Sequence, residues 1–262
     1  MFIIGELING MYPNIASAIS RRDKKVVQKC ALEQIACGAD AIDINCGPDS
    51  KDPLIDLPWL VETIQEATDK PLCLDSSKPR VIEEGLKASR NKTIINSTTA
   101  DKEKLDILVF LAKQYKSKLI GITISQKGIP QNKDQRVELA AVIVAYCQDN
   151  GFPVEDLYLD PIVLPINVAQ EQISDILKSI YEFKILSEPS PKTVLGLSNI
   201  SQGIQAHSLI NRTFLTMAVA CGLDSAILNP KDNELMNSLI TAELIFNKNI
   251  YCDSYLKAYR KK

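Results

Sequence analysis

The feature that most constrains this chain is a repeated alternation. Short apolar, β-branched runs recur along it, and each is followed by an amphipathic stretch with apolar residues at three- and four-residue spacing. The runs that read as strands are Phe2 to Ile4, Ala41 to Asn45, Leu72 to Asp75, Thr93 to Ser97, Leu119 to Thr123, Leu157 to Asp160, Val194 to Ser198 and Ser225 to Leu228. Between and after them, helices are predicted over Lys24 to Cys37, Leu57 to Ala67, Val81 to Lys87, Lys102 to Tyr115, Arg136 to Asn150, Ala169 to Leu186, Leu209 to Cys221 and Glu234 to Asn247. Gly151 and Gly222 punctuate helix ends. Eight strand–helix units in 262 residues match the arithmetic of an α/β fold of the (β/α)8 TIM-barrel kind, with a doubly wound open sheet as the competing arrangement. Glycine and proline total 24 (11 + 13) and concentrate nowhere as a linker, so residues 1–262 are expected to form a single domain.

Composition narrows the partners. Thirty basic against thirty-two acidic side chains leave a net charge of −2 with no basic stripe, so nucleic acid is not an expected partner. Apolar runs fall short of the ~20 residues of a membrane helix, and the first residues lack the pattern of a signal peptide, so a cytoplasmic protein is expected. Seven cysteines without a Cys-x-x-Cys pair, and a single histidine, His207, point to neither a disulfide framework nor a zinc site. No bound metal is expected.

The strand ends carry the chemistry. Seven of the eight runs finish in or beside a polar residue: Glu6, Asn45, Asp75, Asn96, Asp160, Ser198 with Asn199, and Asn229. Buried parallel strands are otherwise apolar, and barrel enzymes keep their sites at the C-terminal rim. The plain alternative is that these residues cap helices or start turns. Asp75, Asn96 and Asp160 together suit the edge of a flat heterocycle that mixes donors and acceptors, such as a pterin. A phosphorylated sugar would want a glycine-rich loop after strands seven and eight, which is missing. Glu6, Asn9, Asp43 and Asn45 are candidates for support of that site. Cys46 and Cys73 have no adjacent base and read as inert thiols.

Asp43-Ile44-Asn45-Cys46-Gly47, Leu74-Asp75-Ser76, Ile95-Asn96-Ser97, Asp160-Pro161 and Leu195-Gly196-Leu197-Ser198-Asn199 occur in an order and spacing that resemble the methyltetrahydrofolate:corrinoid methyltransferase family. The resemblance runs from Ile4-Gly5-Glu6 through Leu209 to Leu215 and on to Tyr251-Cys252-Asp253-Ser254. It implies a homodimeric barrel that takes 5-methyltetrahydrofolate as substrate and passes its N5 methyl to a corrinoid (a cobalamin) supplied by a partner protein. By the family pattern Asp75, Asn96, Asp160 and Asn199 bind the pterin, and Asn199 meets N5. Methyl loss from a tertiary amine needs proton donation or a strengthening hydrogen bond, which points to Asn199, Asp160 and Ser198 with ordered water. Gln202 and His207 are candidate contacts to the folate tail or to the partner. The partner itself is expected to be a small corrinoid protein or a corrinoid iron–sulfur protein, in acetyl-group synthesis or in demethylation.

Three departures from the family pattern stand out: Leu7 and His207 in places where arginine is expected, and the loop Thr123 to Gly128. A dihydropteroate synthase-like condensation is the enzymatic alternative. It needs cations at strand eight and after strand seven, where this chain has Ile227-Leu228-Asn229-Pro230 and Ser198-Asn199. A non-catalytic folate-binding module is the third reading.

Overall fold

The computed structural model describes residues 1–248. Eight parallel strands close on themselves in chain order: β1 (Phe2–Asn9), β2 (Ala41–Asn45), β3 (Leu72–Asp75), β4 (Thr93–Thr98), β5 (Lys118–Ile122), β6 (Leu157–Asp160), β7 (Lys192–Gly196) and β8 (Ser225–Leu228). Ten α-helices are present among the described residues: α1 (Pro13–Arg21), α2 (Lys24–Ala36), α3 (Pro53–Gln65), α4 (Pro79–Ala88), α5 (Lys102–Tyr115), α6 (Lys133–Asp149), α7 (Ile166–Ala169), α8 (Ile173–Phe183), α9 (His207–Ala220) and α10 (Asn233–Ile245). The expected (β/α)8 barrel is therefore the observed fold, and the open sheet is not. The segment Tyr251 to Ser254, part of the family resemblance, lies outside the described residues.

Local chemistry sets the helix starts. Asp23, Asp52, Asn132 and Asp232 accept hydrogen bonds from the first backbone N–H groups of α2, α3, α6 and α10, and proline opens α1, α3 and α4. Strand parity sets the core. Ile4, Ala41, Cys73, Ile94, Ile120, Tyr158 and Val194 fill the barrel interior as one cluster. Their strand neighbours Ile42, Ile44, Leu72, Leu74, Ile95, Leu119, Leu157 and Leu159 pack outward against the helices.

β4 gains Thr98 and β5 shifts by one residue, while two strands depart further from expectation. β1 runs past Ile4 to Asn9, with its register against β2 shifting between Gly5 and Ile8, a bulge that lets the strand continue into the mouth. β7 ends at Gly196, and Leu197–Ser201 form a 3-10 turn. Ser198 and Asn199 therefore sit on a turn above the strand, not on the strand itself.

Candidate active site

Counting in twos from the interior cluster places the polar strand ends. Glu6 follows Ile4, Asp43 and Asn45 follow Ala41, Asp75 follows Cys73, Asn96 follows Ile94 and Asp160 follows Tyr158, so all share the parity of the barrel interior. Asp75 and Asn96 are direct partners across β3 and β4, and Asn9 and Asn45 are partners across β1 and β2. That last pairing depends on glycine. Gly47 has φ +78, and a Cβ there would lie 2.5 Å from the carbonyl carbon of Gly10, so the loops after β1 and β2 touch backbone to backbone.

The hydrogen bonds orient each amide. Asn45 donates from Nδ2 to Asp75 Oδ2 at 2.7 Å while its Oδ1 accepts the Gly47 N–H at 2.7 Å. Asn96 donates from Nδ2 to Asp43 Oδ1 at 3.2 Å, which leaves its own Oδ1 as an acceptor. Asp160 accepts the Ile162 N–H at 2.7 Å and a further hydrogen bond from the Gly196 backbone, and a carboxylate has capacity beyond two bonds. The Ser198 hydroxyl donates to Glu6 Oε1 at 2.7 Å, tying the turn after β7 to β1. What Asp75, Asn96 and Asp160 have left to offer is chiefly acceptor oxygen, with the second Nδ2–H of Asn96 beside it as a donor. A molecule that fits them must present N–H donors along one edge.

Asn199 comes from the other side. A Cβ on Gly196 would stand 3.0 Å from Asn199 Nδ2, so the carboxamide leans over the end of β7 in space that a larger residue would fill. Gly196 is a position beside Asn199 that the strand-end pattern does not single out. Its signal was available, since it lies two residues after the interior Val194. Gln202 and His207 are exposed on the same segment, the His207 ring 3.4 Å from Ser201 Oγ at the start of α9. Asn9 accepts the Met11 N–H at 2.9 Å, so its oxygen serves the turn.

Burial shifts the acids. It pushes Asp160 up to about 6 against the opposing pull of the Ile162 and Gly196 N–H groups, and pushes Glu6 up to about 7 against the Ser198 hydrogen bond. Asp43 is driven well above the usual carboxylate range by burial and then by the charge of Asp75, which burial also raises. The thiols of Cys73 and Cys46 are pushed up by burial, Cys46 to about 12, which leaves them protonated and unreactive at neutral pH. The carboxyls of Glu6 and Asp160 are thus both held above the usual carboxylate range, close to neutrality.

A separate cleft of about 390 Å³ opens outside the barrel, between α1 and the segment after β2. None of the strand-end residues lines it, and Arg22 and Asp56, which do, pair with each other at 2.6 Å.

A closed parallel barrel whose C-terminal rim gathers buried carboxylates and carboxamides is a (β/α)8 enzyme scaffold built to hold a small polar heterocycle. The chain belongs to the pterin-binding enzyme family, whose model matches residues 14–229. Among relatives, it is 28% identical over 263 aligned residues to a methylcorrinoid:tetrahydrofolate methyltransferase from Eubacterium limosum, covering 100% of this chain and 97% of that protein. It is also 26% identical over 227 residues to methionine synthase from Mycobacterium tuberculosis, covering 81% of this chain but only 19% of that longer protein. Solved structures similar in fold include a dihydropteroate synthase from Coxiella burnetii in complex with pteroic acid, with a TM-score of 0.70 at 14% identity over 95% of this chain and 94% of that one. A second is dihydropteroate synthase from Thermus thermophilus, with a TM-score of 0.68 at 15% identity over 95% and 94%. At such identity the likeness to the synthases is one of fold alone.

Proposed function

We propose that this protein is a methyltransferase that moves a methyl group between N5 of 5-methyltetrahydrofolate and the cobalt of a corrinoid carried by a partner protein. The observation that carries the reading is the acceptor set at the mouth. A reduced pterin offers its 2-amino group, N3–H and N8–H along connected edges, and Asp75, Asn96 and Asp160 are oriented to receive donors. Full-length similarity to a methyltransferase that joins these two substrates supports the choice of reaction.

Asp75, Asn96 and Asp160 hold the ring in this reading. Asn199, above Gly196, donates an amide hydrogen bond to N5 that strengthens as electron density returns to that nitrogen. Asp160 and Ser198, with ordered water, complete the network, and Glu6 holds Ser198 from β1. Asp43 acts one layer lower, orienting Asn96, and Asn45, level with Asp75 on the neighbouring strand, orients Asp75. The corrinoid supplies the cobalt that takes or gives the methyl group. The only histidine of the sequence, exposed at the start of α9, is not set in a carrier-type loop, and in this reading the corrinoid is carried by a separate protein, small or iron–sulfur-bearing. The enzyme is a cytoplasmic homodimer, with Gln202 and His207 facing the folate tail or that partner.

The synthase-like alternative lacks its cations. β8 ends at Leu228 before Asn229 and Pro230, and the next residue, Lys231, pairs with Glu33 at 2.5 Å. Titration calorimetry tests the pterin reading. Wild-type protein binds 5-methyltetrahydrofolate, and Asp75→Ala weakens that binding at least tenfold; a protein that ignores reduced folates refutes it.

A further inference from the structure

Arg136 is a fully buried side chain, among the largest of the described residues, and it is charged. Its Nε donates to the Pro161 carbonyl at 2.9 Å, Nη1 to the Asn132 carbonyl at 3.2 Å and Nη2 to Gln172 Oε1 at 2.7 Å. All three acceptors are neutral. Burial pulls the guanidinium pKa down, with Asp175 opposing from longer range. A cation buried without an ion pair is costly, and in a folded protein it is expected to organise what surrounds it.

What surrounds it is the turn after β6. Pro161 directly follows Asp160, and Ile162 then adopts φ +57, a left-handed conformation that β-branched residues rarely take. In that conformation the Ile162 N–H points back to Asp160 Oδ1 at 2.7 Å. The turn is gripped from behind by Arg136 through the carbonyl between those two residues. Gln172 is in turn held to the loop before α6, donating from Nε2 to Gln131 Oε1 at 3.2 Å. One planar fork therefore joins the start of α6, the turn after β6 and the 3-10 turn of Gln170–Gln172, a geometry that a lysine ammonium cannot reproduce.

We propose that Arg136 is a positioning residue that sets the aim of Asp160 into the barrel mouth through the Pro161–Ile162 turn. The inference rests on the pterin reading of the mouth. It extends the binding machinery to a helix on the outside of the barrel that touches no ligand.

The test measures 5-methyltetrahydrofolate affinity and thermal unfolding together for wild type, Arg136→Lys, Gln172→Ala and a control, Leu108→Ala, buried on α5. Arg136→Lys is expected to weaken binding about tenfold and Gln172→Ala about threefold, with KM rising in step, while the control loses thermal stability and keeps the wild-type affinity. A merely structural role would make affinity follow stability across all three variants. Cooperatively folded Arg136→Lys with affinity within twofold of wild type overturns the inference; if that variant does not fold, unchanged affinity in Gln172→Ala overturns it equally. Wild type that fails to bind overturns the pterin reading and this inference with it. Wild type that binds, with Asp160→Asn impaired and both variants unaffected, overturns the inference alone.

Discussion

Glu6→Gln should stabilise the free protein at high pH and leave it nearly unchanged at low pH. Burial raises the Glu6 pKa from 4.5 to about 7 even though Ser198 donates to it. Between those values the folded state holds a proton that the unfolded chain has released, so stability falls as pH rises from about 4.5 through about 7. A shift of about 2.5 units is worth about 3 kcal/mol at pH 8.5 and, with the proton mostly retained, about 1 kcal/mol at pH 5. Glutamine keeps the shape and the acceptor for Ser198 but carries no charge, so it removes that cost. Because Glu6 is only half-buried by side-chain exposure, about 3 kcal/mol is an upper bound for the gain at pH 8.5. Urea unfolding at the two pH values reads the difference directly. A gain at pH 8.5 that exceeds the gain at pH 5 by 1–2 kcal/mol or more is expected, on the order set by the shift. Equal effects at both pH values, or a loss at pH 8.5, would refute the claim that burial holds the Glu6 carboxyl above its usual range despite the Ser198 hydrogen bond. That gain would mark a site that gives up stability for function.

Further expectations follow from the same geometry. Asn199→Ala should lower methyl transfer by roughly 10²-fold while weakening pterin binding much less, measured by steady-state rates beside calorimetry; small, equal losses in both would remove Asn199 from N5. Gly196→Val should displace the Asn199 carboxamide, whose Nδ2 lies 3.0 Å from the Cβ position, and reproduce most of the Asn199→Ala rate loss with the fold retained by circular dichroism. Asn45→Ala, by freeing Asp75 Oδ2, should weaken 5-methyltetrahydrofolate binding by about tenfold, the scale of one charge-assisted hydrogen bond, in the same titration.

The fold was legible because a parallel barrel writes itself in hydrophobic runs. β2, β3, β6 and β8 fall where those runs begin and end, and α5 spans the residues that its periodicity predicts. What escaped is what depends on tertiary contact. α1 starts at Pro13 with no side-chain cap, so its proline is the one local sign of its start, and a lone proline marks turns as readily. The stretch read as one helix from Ala169 to Leu186 divides, because Pro165 opens α7 and the backbone breaks at Ala169 (φ −142, ψ 48) before α8 begins. Leu197 and Ser198 left β7 once Gly196 ended the strand.

The polar strand ends were legible as a set, since parity alone sends Glu6, Asp43, Asp75, Asn96 and Asp160 inward. Their hydrogen-bond assignments were not, because which oxygen of Asp75 meets Asn45 is decided by a neighbouring strand. Arg136 escaped for a related reason. It shares the buried stripe of α6 with Ala140, Ile143, Val144 and Cys147, a stripe on which periodicity expects an apolar residue. A charge at such a position was itself the signal.

The most direct test of the central claim is a spectrophotometric one. Wild-type protein mixed with 5-methyltetrahydrofolate and reduced cob(I)alamin should bleach the cob(I) absorption and produce methylcobalamin at a rate proportional to enzyme. Absence of methylation with free cobalamin and with every corrinoid protein supplied, by an enzyme that nonetheless binds the folate, would contradict methyl transfer and leave a barrel that only binds.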